Sequence, residues 1–448
     1  MFRKHFATID EWLRESDKAL LVTGARQTGK TWIIRDVVKQ SEYDLFEINF
    51  IDQPDMAAYL NTRMSADDFL VRLKMIMPEH YLPNRTVVFF DEIQKCPEIV
   101  TKIKFLVEEG SFRYVMSGSL LGVELKGIAS APVGYMSTLK LYPMDFEEFM
   151  IANSISQATL TMLWEKYEKS EALDDFIHEK LLSLFFIYMI VGGMPDAVRT
   201  FVETNDIRAT DRVIRDIHTL YKADFTQYEQ EDKKLKLISV YDMIPAELNK
   251  QNKKFVFSML DKELKFDRYE NSFLWLKDAG VALPVYNVGT PIVPLKASES
   301  TNVFRLFSSD TGLLTGAYPA ETKMELLAHN SEINNGAHFE NAVAQQLVAN
   351  GFEPYFCKKN KIGELDFVIE MEGSVAAIEV KSGKNYKKHP ALDRFLGLPE
   401  YHIQKAFVLS GGNVEKSGQV TYLPIYMTYL IREQAVEKLI VKPDTEGL

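Results

Sequence analysis

The sequence predicts an α/β protein whose N-terminal part is built on a parallel, doubly wound sheet. Three observations support this prediction. Apolar strand-like segments alternate with helical patterns up to about residue 150, as in sheets whose strands are connected by helices. A glycine-rich segment separates the first strand from the helix that follows it. The third strand is almost entirely apolar, as expected for a strand buried on both faces, and it ends in two acidic residues.

Short sequence patterns give the elements of this sheet in order. Residues 6–17 show helical periodicity, and ALLVT is an apolar strand that leads through the glycine-rich segment into a second helix. Further strands are predicted in LFEINFID, TVVFFDEIQ, FRYVMSGS and STLKLYP. Helical patterns over residues 64–78 and 98–109 lie between them.

Beyond residue 150 the pattern divides the chain into three further segments. Residues 151–229 show helical patterns without strand signals. Residues 230–325 place helices before the short strands of VALPVYNVGTPIVPL, an order that is typical of a winged helix-turn-helix. Residues 326–448 begin with the helix GAHFENAVAQQLVANG and continue with four strand patterns. At about 100–200 residues per domain, a chain of 448 residues favours two to four domains, and these patterns give four.

Composition and charge exclude several classes of protein. Hydrophobic residues make up 46% of the chain and charged residues 26%, which excludes a disordered or collagen-like protein. The net charge of −11 argues against a wholly basic binder of nucleic acid. Most of this charge lies in the first 336 residues, whereas residues 337–448 are close to neutral, so a local basic surface stays open there.

The sequence further predicts a soluble, cytoplasmic protein without a membrane segment. Cys96 and Cys357 are too few for a disulfide framework or a Cys-rich zinc module, and they suit a reducing compartment. The N-terminal residues have no apolar core of the signal-peptide kind. The longest apolar-rich run, LLSLFFIYMIVGGMP, is broken by Gly192, Gly193 and Pro195 and is too short to span a bilayer.

The glycine-rich segment GARQTGKT matches the phosphate-loop pattern G-x-x-x-x-G-K-[ST] in full, between a strand and a helix. Its backbone N–H groups and the helix N-terminus are expected to bind the phosphates of a nucleotide. Lys30 is expected to reach the β- and γ-phosphates, and the Thr31 hydroxyl to bind Mg²⁺. The residues expected to bind the nucleotide are Gly24, Ala25, Arg26, Gln27, Thr28, Gly29, Lys30 and Thr31.

The third strand supplies the acids that such a site needs. Asp91, at the end of TVVFFDEIQ, is expected to hold Mg²⁺, and Glu92 to polarise the attacking water. The next strand ends in Ser117, Gly118 and Ser119. We expect Ser119 to contact the γ-phosphate or the water, although an ordinary junction between strand and turn would have the same sequence.

Hydrolysis also needs a positive charge at the transition state, and this is usually an arginine. Arg26 lies inside the loop and Arg113 precedes the fourth strand. The sequence does not choose between them.

A second group of charged residues occurs near the C-terminus. Asp366 lies in LDFVIE, and Glu379 and Lys381 lie two residues apart in IEVKSG, so strand alternation places them on one face beside Asp366. With Glu340 in the preceding helix, the three carboxylates could hold Mg²⁺ or Mn²⁺, and Lys381 could help activate water. Seven lysines close by in sequence could bind a phosphate backbone, and they are Lys358, Lys359, Lys361, Lys381, Lys384, Lys387 and Lys388. A hairpin with solvated charges is the alternative.

Taken together, these motifs resemble a prokaryotic family of AAA+-related P-loop ATPases with a C-terminal domain of unknown function. Besides the loop and FFDEIQ, the resemblance includes SGS, LYPMDFEEF, GGMPDAV, WLKDAGV, FRLFSSDTGLL, FEN, LDFVIE and IEVKSG in matching order. It implies an AAA+-like core over residues 1–150, a helical lid over 151–229, a winged helix over 230–325 and a restriction-endonuclease-like (PD-(D/E)XK) fold over 326–448.

The resemblance also implies roles for individual residues. ATPase roles fall on Lys30, Thr31, Asp91 and Glu92, and nuclease-type roles on Glu340, Asp366, Glu379 and Lys381. One position departs from the family pattern: this chain has Gly134-Tyr135 where family members often have Gly-Arg. If that arginine serves hydrolysis or sensing, Tyr135 would reduce ATP turnover.

We therefore expect an ATP-binding, Mg²⁺-dependent ATPase switch coupled to DNA binding or metal-dependent DNA cleavage through its C-terminal domains. The alternative is a nucleotide-regulated protein-interaction or regulatory module whose nuclease-like fold only binds, with the acidic front docking a protein partner. A kinase or transferase is a weaker alternative, because the chain shows no acceptor site. AAA+ resemblance also suggests oligomers in which a neighbour supplies an arginine.

Overall fold

The computed structural model describes residues 1–119, 134–228, 231–250, 270–328 and 335–433. The strands of the N-terminal sheet are β1 (Ala19–Thr23), β2 (Asp44–Asn49), β3 (Thr86–Asp91), β4 (Arg113–Ser117) and β5 (Met136–Lys140). They form one parallel sheet in the order β2-β3-β4-β1-β5. All six residues of β3 are buried, which confirms the expectation from its apolar sequence.

Helices cover both faces of this sheet. They are α1 (His5–Glu15), α2 (Lys30–Lys39), α3 (Pro54–Leu60), α4 (Ala66–Ile76) and α5 (Glu98–Glu109). One hydrophobic core joins the sheet to α1 and α2, and a second joins it to α3, α4 and α5. The carboxyl ends of β1, β3 and β4 therefore meet at one open edge, where ligands of parallel sheets bind.

The next segment is helical, as predicted. Its helices are α6 (Phe146–Ala152), α7 (Gln157–Lys169), α8 (Asp175–Val191), α9 (Pro195–Thr204) and α10 (Ile207–Tyr228). A capping box formed by Asp145 and Glu148 starts α6, because each side chain accepts a hydrogen bond from the other residue's backbone. The Gly192-Gly193 turn ends α8, and Pro195 occupies the first turn of α9.

A second group of helices precedes an antiparallel hairpin. The elements are α11 (Glu231–Leu248), α12 (Glu270–Asp278), β6 (Ala282–Val288), β7 (Glu299–Ser308), α13 (Thr311–Gly316) and α14 (Ala320–Leu327). The second short strand expected within PIVPL is absent, since β7 begins only at Glu299. Pro291 and Pro294 explain the difference, because neither has an N–H to donate to a strand ladder.

The described C-terminal part adds two α-helices and six strands to this hairpin. The elements are α15 (Gly336–Ala349), β8 (Tyr355–Lys359), β9 (Gly363–Met371), β10 (Ser374–Lys381), α16 (Pro390–Leu396), β11 (Ile403–Ser410), β12 (Glu415–Ser417) and β13 (Val420–Pro424). The described strands form an eight-stranded mixed sheet in the order β12-β13-β11-β10-β9-β8-β6-β7. The α/β class with a parallel N-terminal sheet is therefore confirmed, together with a mixed C-terminal sheet.

The packing continues across the expected domain limits. Strand β6, assigned to the segment 230–325, pairs in parallel with β8, assigned to 326–448. A single hydrophobic core extends from Met144 to Ile431 and also includes Ala25 of the glycine-rich loop. The four domain ranges stay predictions, and the limit at 229/230 and residues 434–448 lie outside the described residues.

Candidate nucleotide site and C-terminal carboxylate cluster

The loop Gly24–Thr31 connects β1 to α2 at the open edge of the parallel sheet. Gly24 has φ +140°, and a Cβ at this position would lie 2.2 Å from the carbonyl oxygen of Leu141, so only glycine fits. Gly29 has φ +89° and precedes the first residue of α2. Gln27 also has a positive φ of 64°, a conformation that non-glycine residues rarely adopt outside special sites.

Lys30 is buried at the first position of α2. Its ammonium group donates hydrogen bonds to the carbonyl oxygens of Gly24 at 3.1 Å and Ala25 at 2.8 Å. Burial lowers the pKa of Lys30 to about 8, although the negative charges of Glu92 and Asp91 act in the opposite direction. The predicted phosphate-binding lysine therefore lies within the loop and beside both predicted acids.

Asp91 is the centre of a buried polar cluster at the end of β3. Its Oδ2 accepts hydrogen bonds from the Thr31 hydroxyl and the Asn49 amide, both at 3.0 Å. Its Oδ1 accepts from the backbone N–H of Glu92 at 3.1 Å and from the Ser117 hydroxyl. Thr31 and Asp91, the predicted Mg²⁺ ligands, are thus in direct contact, and their hydroxyl and carboxylate oxygens fit that ion.

Two of these partners were not among the assigned site residues. Asn49 is the last residue of β2, and the parallel register places it directly opposite Asp91. Ser117 ends β4, the strand on the other side of β3. The position of each at the carboxyl end of a predicted parallel strand was the available signal.

Glu92 follows Asp91 in a left-handed conformation, with φ 56° and ψ 47°. Such a conformation is costly for a non-glycine residue and is often found at functional sites. The Gln94 amide donates a 2.5 Å hydrogen bond to Glu92 Oε2. The turn and this bond together hold the Glu92 carboxylate beside the cavity above the loop.

Ser119 is buried, and its hydroxyl has no hydrogen-bond partner within the described residues. The hydroxyl that contacts the acid is that of Ser117, two residues earlier. The catalytic role assigned to Ser119 stays a prediction.

A cavity of about 430 Å³ opens above the loop. Its lining includes Gln27, Gly29, Lys30, Thr31 and Glu92. It also includes residues that the sequence reasoning did not assign to the site, namely Met1, Arg3, Trp32, Arg35, Pro195, Asp196 and Arg199, of which Asp196 pairs with Arg199 at 2.9 Å. The cavity thus combines basic groups that suit an anion with the half-exposed indole of Trp32.

The two arginines left open by the sequence lie far apart. Arg113 is the first residue of β4, so it lies at the edge of the sheet opposite the loop, where it donates to the Tyr43 hydroxyl at 3.2 Å. Arg26 lines the cavity and pairs with Asp224 of α10 at 2.5 Å. Tyr135, at the position where the resembling family often has an arginine, is not at the loop but donates to Glu108 on α5 at 2.6 Å.

Other parts of the chain hold the loop from outside the sheet. Arg3 donates to the Thr28 carbonyl at 2.7 Å and pairs with Glu148 of α6. The Tyr221 hydroxyl of α10 donates to the Arg26 carbonyl at 3.0 Å. Gly280, between α12 and β6, packs so closely that a Cβ there would lie 3.1 Å from the Ala25 nitrogen.

The four residues predicted to form the C-terminal site lie together on one sheet and its helix. Lys381 pairs with Glu379 at 2.7 Å, which confirms that they share a strand face. Asp366 Oδ2 accepts from the Val380 backbone N–H at 3.0 Å. Burial and the nearby charge of Asp366 raise the pKa of Glu379 to about 8, and the charge of Glu340 also raises it.

The cluster contains a cation that the sequence did not assign. Arg305 of β7 pairs with Glu340 at 3.4 Å, with Asp366 at 3.7 Å and with Glu364. Throughout the described ranges, no group of three or more His, Cys, Asp or Glu side chains is arranged to hold a metal ion.

The basic residues near the cluster are mostly exposed. Lys358 pairs with Glu364 at 2.6 Å and Lys387 with Glu415 at 2.6 Å. Lys361, Lys384 and Lys388 are exposed on neighbouring turns. This part of the sheet therefore presents several positive charges to solvent.

The parallel sheet, with a phosphate loop between its first strand and the next helix, defines a P-loop NTPase fold. The family model described as an AAA domain (AAA_14) matches residues 16–150, which supports membership of a P-loop ATPase family. Two family models described as domains of unknown function match later parts of the chain, DUF8612 over residues 182–323 and DUF4143 over residues 335–427. No curated protein matches the chain.

Three solved structures are similar at low identity. The Walker-type ATPase PABY2304 of Pyrococcus abyssi is 12% identical, with a TM-score of 0.41, over 70% of this chain and 95% of its own. PCH-2 of C. elegans is 9% identical, with a TM-score of 0.26, over 48% and 65%. A structure of katanin self-assembly is 20% identical, with a TM-score of 0.22, over 34% and 50%. Scores this low carry no functional argument.

None of the helices that the structure describes is long and apolar enough to cross a membrane.

Proposed function

We propose that the protein is a Mg²⁺-dependent ATPase that works as a nucleotide-controlled switch. The observation that carries this proposal is the meeting of Lys30, Thr31, Asp91 and Glu92 at the open edge of the parallel sheet. Thr31 and Asp91 would hold Mg²⁺, which neutralises phosphate charge when bound. Lys30 would bind the β- and γ-phosphates, and Glu92 would orient the attacking water.

The cavity offers cations for the transition state of hydrolysis. Arg26 and Arg199 both line it, whereas Arg113 is at the far edge of the sheet. Arg26 is paired with Asp224 and Arg199 with Asp196, so each charge acts fully on a phosphate only if its pair opens. An arginine supplied by a second copy of the chain is the other source, in keeping with the predicted oligomer.

The contacts on the loop support the switch part of the proposal. Helix α10 contacts Arg26 through both Tyr221 and Asp224, and Gly280 packs on Ala25. Phosphate binding to the loop changes the charge and backbone positions that these residues contact. A change at the nucleotide would in this way reach α10 and the hairpin β6–β7.

The direct test is ATP binding by a Lys30→Ala variant, measured by calorimetry. We expect binding to be lost, while Lys39→Ala, which removes an exposed lysine from the other end of α2, binds as the parent does. If Lys30→Ala binds ATP as tightly as the parent, the assignment of the phosphate loop is wrong.

DNA binding by the C-terminal part is the second candidate function. The exposed residues Lys361, Lys384 and Lys388 favour it, because phosphate contacts supply most of the affinity of non-specific DNA binding. A Lys384→Ala/Lys388→Ala variant should bind duplex DNA more weakly and with a shallower salt dependence than a Lys39→Ala control. Equal binding by the two variants would instead favour the protein-interaction alternative.

A further inference from the structure

The carboxylate cluster of the C-terminal sheet contains its own cation. Arg305 is only 2% exposed and extends from β7 across the face of the sheet, where its guanidinium lies 4.8 Å from the ring centre of Phe356 on β8. The same guanidinium reaches Glu340 on α15 and both Glu364 and Asp366 on β9. Four separate elements therefore meet at one buried arginine.

The position of this guanidinium disfavours a metal shared by Glu340 and Asp366, two of the predicted ligands. Arg305 Nη1 lies 3.4 Å from Glu340 Oε2 and 3.7 Å from Asp366 Oδ1. A divalent cation held by these two carboxylates would need both oxygens within about 2.0–2.6 Å, so it would occupy the space between them. Nη1 is within 3.7 Å of both oxygens, so an ion bound by both would lie close to the guanidinium, whose positive charge would repel it.

Displacement of Arg305 toward solvent would be expensive. Nη1 also donates to the Asp366 backbone carbonyl at 3.4 Å, and Nη2 donates to Glu364. Removing one partner from a buried ion pair leaves an uncompensated charge, which is strongly unfavourable. The remaining carboxylate, Glu379, pairs with Lys381 rather than with Arg305.

We propose that Arg305 takes the cation position of this cluster, so that the nuclease-like site holds no divalent metal and does not cleave nucleic acid. The charge of the four clustered carboxylates is offset in large part by Arg305, Lys381 and Lys358, all of which belong to the chain. The C-terminal domain then acts as a rigid binding domain, with the buried ion pairs joining the hairpin β6–β7 to the sheet. This inference is independent of the proposed ATPase activity.

Mn²⁺ binding in the absence of nucleotide tests this proposal. In calorimetry or electron paramagnetic resonance, we expect the full chain to show no saturable Mn²⁺ site that depends on Asp366. The parent and Asp366→Asn should therefore bind Mn²⁺ alike. A Mn²⁺ site that is lost in Asp366→Asn but kept in Asp91→Asn would overturn the proposal. The Asp91 variant separates a metal at the phosphate loop from a metal at the cluster.

An Arg305→Met variant gives the complementary measurement. It keeps much of the side-chain volume, removes the charge, and should gain one Mn²⁺ site per chain that Asp366→Asn abolishes. Arg394→Met is the matched control, because Arg394 is exposed and donates to the Ile362 carbonyl rather than to the cluster. A folded Arg305→Met protein that gains no Mn²⁺ site would contradict the proposal. If this variant does not fold, the comparison of Mn²⁺ binding by the parent and by Asp366→Asn still tests it.

Cleavage of plasmid DNA in the presence of Mn²⁺ provides a second readout. The full chain should leave the plasmid intact. Cleavage that disappears in Asp366→Ala and persists in Asp91→Asn would show an active metal site and overturn the proposal.

Discussion

Replacing Asp91 by asparagine tests the nucleotide site most directly, because the substitution preserves shape and removes one charge. Each carboxylate oxygen of Asp91 accepts two hydrogen bonds, one from a hydroxyl and one from an N–H group. The donors are Thr31 and Asn49 at Oδ2, and Ser117 and the Glu92 backbone at Oδ1. The hydroxyls of Thr31 and Ser117 can turn to accept a hydrogen bond. The N–H groups of Asn49 and Glu92 cannot.

The consequence for stability follows from this arrangement. Whichever way the new amide is oriented, its NH₂ group faces one N–H donor that has no means to accept. The Asn49 side chain cannot rotate to relieve this contact, because its Oδ1 accepts from the backbone N–H groups of Ile51 at 2.9 Å and Asp52 at 3.0 Å. Leaving one buried donor unsatisfied costs about 1–3 kcal/mol of the free energy of unfolding.

The functional effect should be larger than the loss of stability. The variant lacks a carboxylate ligand for Mg²⁺, so we expect ATP affinity to become independent of Mg²⁺ and turnover to fall about 10²–10³-fold, as when one electrostatic contact is removed. Denaturant unfolding, calorimetry with and without Mg²⁺, and phosphate release measure the three quantities. Ser117→Ala is the control, since it removes one hydroxyl donor, costs about 1 kcal/mol and keeps the carboxylate. Mg²⁺-dependent hydrolysis at the parent rate in Asp91→Asn would refute the assignment.

Three further predictions concern the loop and its contacts. ATP affinity should fall about tenfold per pH unit above pH 8, because Lys30 of the free protein has a pKa of about 8 and must be protonated to bind phosphate. Calorimetry across this pH range should show the slope, and Lys30→Arg should remove it. Arg26→Ala should destabilise the protein more than Asp224→Ala, because it leaves the Asp224 carboxylate, which is only 5% exposed, without its partner. A double-mutant cycle measured by denaturant unfolding should give a coupling energy of about 1–3 kcal/mol, and additive effects would exclude the contact. Gly193→Ala places a Cβ 1.9 Å from the Met144 carbonyl oxygen, so it should lower the free energy of unfolding by about 1–3 kcal/mol or prevent folding. Gly383→Ala is the control: no atom lies within 4 Å of the added Cβ, so the unfolding midpoint should not change.

Local patterns predict the nucleotide site well because its residues are close in sequence or in strand register. The loop, the strand before it and the apolar strand that ends in Asp91 and Glu92 are all visible as short motifs, and they lie where predicted. Asn49 and Ser117 also belong to the cluster, yet isolated polar residues at strand ends carry no motif. They could be found only by combining strand order with register, and strand order depends on packing that a linear pattern does not contain.

The C-terminal cluster shows the opposite case. The sequence correctly places Glu379 beside Lys381 and near Asp366, since alternation and a hairpin bring them together. Arg305 lies 61 residues before Asp366 and was assigned to a different domain, so no local spacing connects the two. It meets the carboxylates only because β6 pairs with β8 and brings β7 into the same sheet. A buried charge that decides the chemistry of a site can therefore come from an element outside the motif.

The same pairing explains how the nucleotide loop and the C-terminal sheet can influence one another. Gly280 contacts Ala25 of the loop and lies two residues before β6. Strand β6 pairs with β8 and with β7, the strand that carries Arg305. Just after β7, the Asp310 carboxylate accepts a 2.6 Å hydrogen bond from the backbone N–H of Gly193, at the end of α8. A displacement of the loop toward Gly280 on phosphate binding would be felt there, because a Cβ at Gly280 would already lie 3.1 Å from the Ala25 nitrogen. Since interiors are close-packed, such a shift would pass to β6, and the buried ion pairs of Arg305 would carry it into the sheet rather than let the hairpin move alone.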